Sequence, residues 1–164
     1  MNNIIPLHDV AVQYNAPIQI TTANSRKSTY WVSQTLYWSE FLSKLKVPAR
    51  TAETFAQFKQ LSKAEQDELK DVGGFVGGTL IGHRRKAKAV QSRSLVTLDL
   101  DNIPSGGTEE VLRRLGGLGC AYAVYSTRKH EPAKPRLRVI IPLYRPVSPD
   151  EYEPIARKVA ELIG

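Results

Sequence analysis

The run Ser94-Leu95-Val96-Thr97-Leu98-Asp99-Leu100-Asp101 constrains this chain more than any other. Its alternation reads as an extended strand in which Val96, Leu98 and Leu100 face one way and Asp99 and Asp101 the other, the two aspartate Cα atoms roughly 6 to 7 Å apart. Two carboxylates in one patch repel each other unless something positive lies between them. Hard oxygen ligands at that spacing suit Mg²⁺ or Mn²⁺. A later strand, Cys120 to Ser126, runs into the polar stretch Thr127-Arg128-Lys129-His130.

Whether the acidic pair has a polyanionic partner depends on where the positive charge lies. The 164 residues carry a formal charge of +7, which favours nucleic acid or nucleotide phosphates when it is clustered. It is clustered here: His83-Arg84-Arg85-Lys86-Ala87-Lys88 with Arg93, then Arg128, Lys129, Lys134, Arg136 and Arg138. A hydrophobic content of 41% over this length supports one domain with its own core. The single Cys120 excludes an internal disulfide, and its apolar surroundings suggest a small buried strand residue. Met1-Asn2-Asn3-Ile4-Ile5 does not open a signal peptide, and no run of apolar residues is long enough to span a bilayer. The expectation is a cytoplasmic protein with no membrane partner.

Along the chain, Asn15-Ala16-Pro17 and Asn24-Ser25-Arg26-Lys27-Ser28 punctuate a stretch rich in Thr, Tyr, Ile and Val, predicting short strands or hairpins before residue 40. Helices are predicted over Trp38–Leu45, Thr51–Phe58 and from Ser62 to about Val72, the last opened by the capping box Ser62-Lys63-Ala64-Glu65. The five glycines of Gly73–Gly82 suggest a phosphate-cradling loop or a close-packed strand. The absence of a Gly-Lys-Ser/Thr ending argues for the strand, and its basic continuation through Lys88 is either a phosphate-facing or a solvated loop. Thr108 is predicted to cap a helix that ends at Gly116-Gly117, completing a β-α-β unit with strand Cys120–Ser126, which would then lie beside the acidic strand. Arg136–Leu143 is the next strand, with both arginines on one face. Ser148, Pro149 and Glu151 open a final helix that carries Ile155, Val159 and Leu162 inward.

An Asp-x-Asp at a strand end serves as a turn cap as readily as a metal site, but metal-bridged phosphates also require cations, and Arg136 and Arg138 offer guanidinium forks on one face. His130 stands four residues beyond Ser126, where an imidazole and a hydroxyl would both face a phosphate. His8 and His83 have no carboxylate or nucleophile nearby and receive no role. Nucleophilic hydrolysis lacks a Gly-x-Ser-x-Gly elbow, and structural zinc lacks ligands.

Taken together, Leu98-Asp99-Leu100-Asp101, Tyr125-Ser126-Thr127-Arg128-Lys129-His130-Glu131-Pro132 and Lys134-Pro135-Arg136-Leu137-Arg138-Val139-Ile140-Ile141-Pro142-Leu143 resemble the N-terminal primase-polymerase domain of phage and plasmid replication proteins, of the archaeo-eukaryotic primase superfamily and its virulence-associated E family. The resemblance implies a single α+β domain with a mostly antiparallel or mixed, RRM-like sheet flanked by helices. Residues 1–60 would be variable strands and helices packed on a core of residues 61–164. Asp99 and Asp101 match the first motif, which binds Mg²⁺ or Mn²⁺, and His130 matches the histidine of the Ser-x-His second motif. Arg128 stands where that motif has serine, with Ser126 two residues further upstream. Arg136 and Arg138 occupy the place of triphosphate-binding basic residues. The third motif, another carboxylate on a later strand, falls beyond Gly164, so binding without turnover is expected of this chain.

The implied activity is nucleotidyl transfer, with Asp99, Asp101 and His130 catalytic. Ser126, Arg128, Lys129, Arg136 and Arg138 would bind phosphate, and Arg84, Arg85, Lys86 and Lys88 would bind nucleic acid. Nucleoside triphosphates, a single-stranded DNA template and a helicase or ATPase domain of the parent protein are the implied partners. A non-catalytic single-strand-binding module and a metal-dependent nuclease are the alternatives.

Overall fold

Apolar alternation sorts the strands into two antiparallel sheets. A computed structural model describes residues 14–164; the expected features before Tyr14, His8 included, lie outside the described residues. β1 (Pro17–Ala23) and β2 (Val32–Tyr37) form the expected hairpin, and β3 (Gly74–Val76) pairs along the other side of β1. The second sheet is built from β4 (Gly78–Leu80), β5 (Val90–Leu100), β6 (Ala123–Ser126) and β7 (Leu137–Val147), in the order β4-β5-β7-β6. Every named pair is antiparallel, and with five α-helices among the described residues the fold is α+β.

The acidic strand β5 does not touch β6. β7 lies between them, so the expected β-α-β neighbours are split. Burial explains the order: Leu137, Val139, Ile140 and Ile141 are buried on both faces of β7, which suits an interior strand. β6, paired over four residues only, takes the edge.

One face of this sheet packs Val96, Val124, Leu137 and Val139 against α4 (Thr108–Gly117) and α5 (Pro149–Ile163). On the opposite face, Leu95, Ala123 and Ile140 meet Ile18 and Ile20 of β1, and Trp38 and Phe41 of α1 (Trp38–Leu45). That second cover stops short of the end of β5, where the exposed Asp99 stands. The sheet therefore has one end buried on both faces and one end with a polar, open face.

Local signals account for most helix starts. Ser62 and Ser148 accept from the backbone N–H groups of Glu65 and Glu151, and the two glutamates reach back to the cap N–H groups, opening α3 (Lys63–Leu69) and α5. α2 spans Phe55–Gln60, later than Thr51, because Thr54 and Gln57 form the capping box. The cap of α4 is Gly107 rather than Thr108: Gly107 already has helical dihedrals and donates to the Pro104 carbonyl, so the helix is entered one residue early. In α5 the inward position after Ile155 and Val159 is Ile163, four residues on, and Leu162 is exposed. Cys120 precedes β6 and is only half-buried, although burial still pushes its thiol up.

Gly77 and Gly78 carry the chain from the first sheet to the second. A Cβ on Gly78 would lie 1.8 Å from the Ser92 carbonyl oxygen, and the Gly78 carbonyl accepts from Thr21 Oγ1 at 2.7 Å. The glycine tract is thus a close-packed strand crossing. Among the described residues no helix is long and apolar enough to cross a membrane.

Candidate phosphate and metal site

Register alone assembles the polar end of the second sheet. Asp99 of β5 stands opposite Arg138 of β7, and Arg138 opposite Tyr125 of β6, giving a row of three side chains across three strands. Arg138 forks onto Asp99, Nε to Oδ1 at 2.6 Å and Nη2 to Oδ2 at 2.9 Å. One residue beyond the end of β5 and one before the start of β7, Arg136 Nη1 reaches Asp101 Oδ1 at 3.3 Å. The two carboxylates and the two arginines picked out by alternation therefore meet, and they neutralise each other in pairs. The Asp99 hydrogen bonds hold Arg138 more firmly protonated than an ordinary arginine, and burial pushes the Tyr125 hydroxyl up beside it.

His130 is positioned by a tight loop between β6 and β7. Thr127 N–H donates to the Arg136 carbonyl, His130 N–H to the Thr127 carbonyl, and Glu131 pairs with Lys134. The Arg136 backbone N–H donates to His130 Nδ1 at 3.1 Å. Because Nδ1 accepts, a neutral His130 ring carries its proton on Nε2. Ser126 pairs with Leu137 at the end of β6 and is half-buried, as is Lys129, which has no ion pair among the described residues.

Arg128 turns away from this group. Its guanidinium pairs with Glu53, donates to Thr51 Oγ1 at 2.6 Å and lies 4.4 Å from the centroid of the buried Phe58 ring. Lys59 binds Glu131 at 3.0 Å, a second tie from the α2 region to the same loop. Sequence reasoning missed Tyr125, Glu53, Thr51 and Phe58. Tyr125 was accessible through its two-residue spacing from Ala123 on one strand face, whereas the other three lie some seventy residues from Arg128 and carry no local signal.

As metal ligands, Asp99 and Asp101 offer a half-site. Their side chains are 50% and 53% exposed, and they border a groove of about 390 Å³ that continues past Asn102 to Glu110 and Arg114 of α4. Among the described residues no three His, Cys, Asp or Glu side chains are grouped to hold an ion. Two hard, accessible carboxylates fit Mg²⁺ or Mn²⁺ of the kind that completes its shell with water and phosphate oxygens.

Arg84, Arg85, Lys86 and Lys88 are exposed, but they precede the far end of β5. At about 3.4 Å per residue that strand separates them from Asp99 by roughly 30 Å. They form a separate surface from the Asp–Arg pairs.

A family model described as the VapE N-terminal domain matches residues 4–164. No curated protein and no solved structure matches the chain.

Proposed function

The chain belongs to the VapE N-terminal domain family, and on that premise we propose that it serves phage or plasmid DNA replication as a metal-dependent nucleotidyl-transfer domain of the primase-polymerase type. The observation that carries this reading is the paired set at the open end of the second sheet: Asp99 and Asp101 facing Arg138 and Arg136, with the His130 ring fixed to the Arg136 backbone. A nucleoside triphosphate is the ligand this set accommodates. Its phosphates compete with the two carboxylates for the guanidinium forks, which suit phosphate oxygens bidentately. His130 Nε2 remains as a donor for a phosphate oxygen, and Ser126 and Lys129 lie on the adjoining loop.

Asp99 and Asp101, released from the arginines, would hold Mg²⁺ or Mn²⁺. When bound, the ion supplies charge neutralisation of the attacking and leaving oxygens. In the transfer, a 3′-hydroxyl oxygen bonds to the α-phosphorus, the bond to the bridging oxygen breaks, and pyrophosphate leaves. The hydroxyl proton passes to solvent. The arginines bind and orient the triphosphate.

Because Asp99 is held by both carboxylate oxygens, metal affinity should depend on nucleotide. Electron paramagnetic resonance of Mn²⁺ should show weak binding to the protein alone and tighter binding with a deoxynucleoside triphosphate, with both lost in Asp99→Ala. The reading is abandoned if the protein binds neither Mn²⁺ nor nucleotide. A template-primer assay then separates the activities: extended product supports nucleotidyl transfer with turnover, shortened product a nuclease, and metal-dependent nucleotide binding without product the expected binding without turnover. A second reading, a non-catalytic single-strand-binding module, is favoured by the mutual neutralisation of the four charges. It predicts oligonucleotide binding that survives Asp99→Ala with Asp101→Ala, and no extension.

A further inference from the structure

The loop joining β4 to β5 and the loop joining β1 to β2 are locked together at the end of the molecule remote from Asp99. Trp31 N–H donates to the His83 carbonyl at 2.8 Å, and His83 Nδ1 donates back to the Trp31 carbonyl at 3.2 Å. Trp31 itself is buried, its indole N–H donates to the Ser28 carbonyl, and the Arg85 guanidinium lies 5.2 Å over its ring. This clamp holds Tyr30 against His83 as a stacked pair, centroids 4.1 Å apart and planes 18° from parallel. Tyr30 is nevertheless 60% exposed.

The charged side chains of residues 84–88, beside this stack, are all cationic. Arg84, Arg85, Lys86 and Lys88 are exposed, and none of them has an ion pair among the described residues. The arginines of α4, β7 and α5 behave oppositely, since Arg114, Arg138 and Arg157 each hold a carboxylate. Lys27 and Arg26, on the other loop, are offset by Asp71, and Arg26 also by Asp67. Asp71 accepts from the Ser25 hydroxyl and the Arg26 N–H and fixes that loop. Unpaired cations grip phosphates without regard to sequence, and an exposed, immobilised aromatic pair offers a face on which a base stacks. Duplex DNA hides its base faces, so this combination favours a single strand.

We propose that Tyr30 stacked on His83, with Arg84, Lys86 and Lys88, forms a binding site for single-stranded nucleic acid, separate from the Asp99 and Asp101 site. The proposal does not rest on nucleotidyl transfer. A strand seated here lies at the other end of β5, leaving the paired aspartates and arginines open to a nucleotide.

Fluorescence anisotropy with a fluorescein-labelled oligothymidylate tests the site on the whole chain. Tyr30→Ala should weaken binding by about tenfold while Tyr30→Phe retains it, the loss expected of one stacked base. Arg84→Glu with Lys86→Glu should weaken binding more strongly and lower the salt dependence of log K by about 0.7 per lost phosphate contact. Arg157→Glu, on the exposed face of α5, should leave binding nearly unchanged. Asp99→Ala with Asp101→Ala should also leave it intact, so failure of the nucleotidyl-transfer reading does not touch this one. The proposal is overturned if Tyr30→Ala binds the oligonucleotide like the unaltered chain, if Arg157→Glu weakens binding as much as the loop reversals, or if a duplex of the same length binds as tightly as the single strand.

Discussion

Arg138 decides how the open end of the second sheet behaves, because one guanidinium occupies both oxygens of Asp99. Both partners are a third or more exposed, so solvent screens much of the attraction. A double-mutant cycle on Asp99→Ala and Arg138→Ala, read by urea denaturation, should give a coupling of about 0.5 to 1 kcal/mol. Arg128 differs: its pair with Glu53 is three-quarters or more covered, and it also spans the Phe58 ring. Arg128→Ala should lower stability by about 2 kcal/mol. Arg128→Lys should restore less than half, because an ammonium neither forks nor stacks as a planar guanidinium does.

At the same scale, Arg113 and Arg114 hold the Glu110 carboxyl down at about 2, and Arg145 with the Ser148 N–H does the same for Glu151, against an ordinary 4.5. A depressed carboxyl contributes stability that is complete above 4.5 and is lost as the pH falls through 2, because the unfolded chain binds the proton first. The thermal midpoint should therefore drop between pH 4.5 and 2, and Glu110→Gln with Glu151→Gln should flatten that drop. The same-face placement of Asp99 with Asp101, and of Arg136 with Arg138, was legible because alternation is a property of each strand alone. That each arginine would take an aspartate was not legible. It depends on a register between strands some forty residues apart, set by the apolar residues between the polar ones.

Elements were legible where their signals are local. Ser62 and Ser148 announce their helices within four residues, and Ser148→Ala should cost about 1 kcal/mol in a denaturation measurement. The order of β5, β7 and β6 carries no such signal, because nothing in strand Cys120–Ser126 indicates that a later, more apolar strand will claim the interior place. Glycines separate the two kinds of information well. At Gly78 a methyl group would meet the backbone of Ser92, so Gly78→Ala should cost about 3 kcal/mol or more, of order the largest single-residue effects, or prevent folding. Gly116 lies in α4 with nothing within 4 Å of the place a methyl group would take, and Gly116→Ala should stabilise by about 0.5 to 1 kcal/mol. Circular dichroism melts of the two variants should move in opposite directions.

For the whole molecule, the formal +7 is unevenly spread. The Asp99–Arg138 and Asp101–Arg136 pairs cancel, while the loop over residues 84–88 keeps its charge. The four paired charges add little to the distant field, whereas the run of cations over residues 84–88 attracts an approaching polyanion. On the proposed single-strand site, the cation loop would govern how fast a strand arrives, and the Tyr30 ring how long it stays. In stopped-flow measurements, Lys88→Glu should slow association and blunt its salt dependence, whereas Tyr30→Ala should chiefly speed release. If a strand is seated at Tyr30, steering by residues 84–88 would act before contact, and the self-neutralised Asp–Arg pairs would add little to that steering.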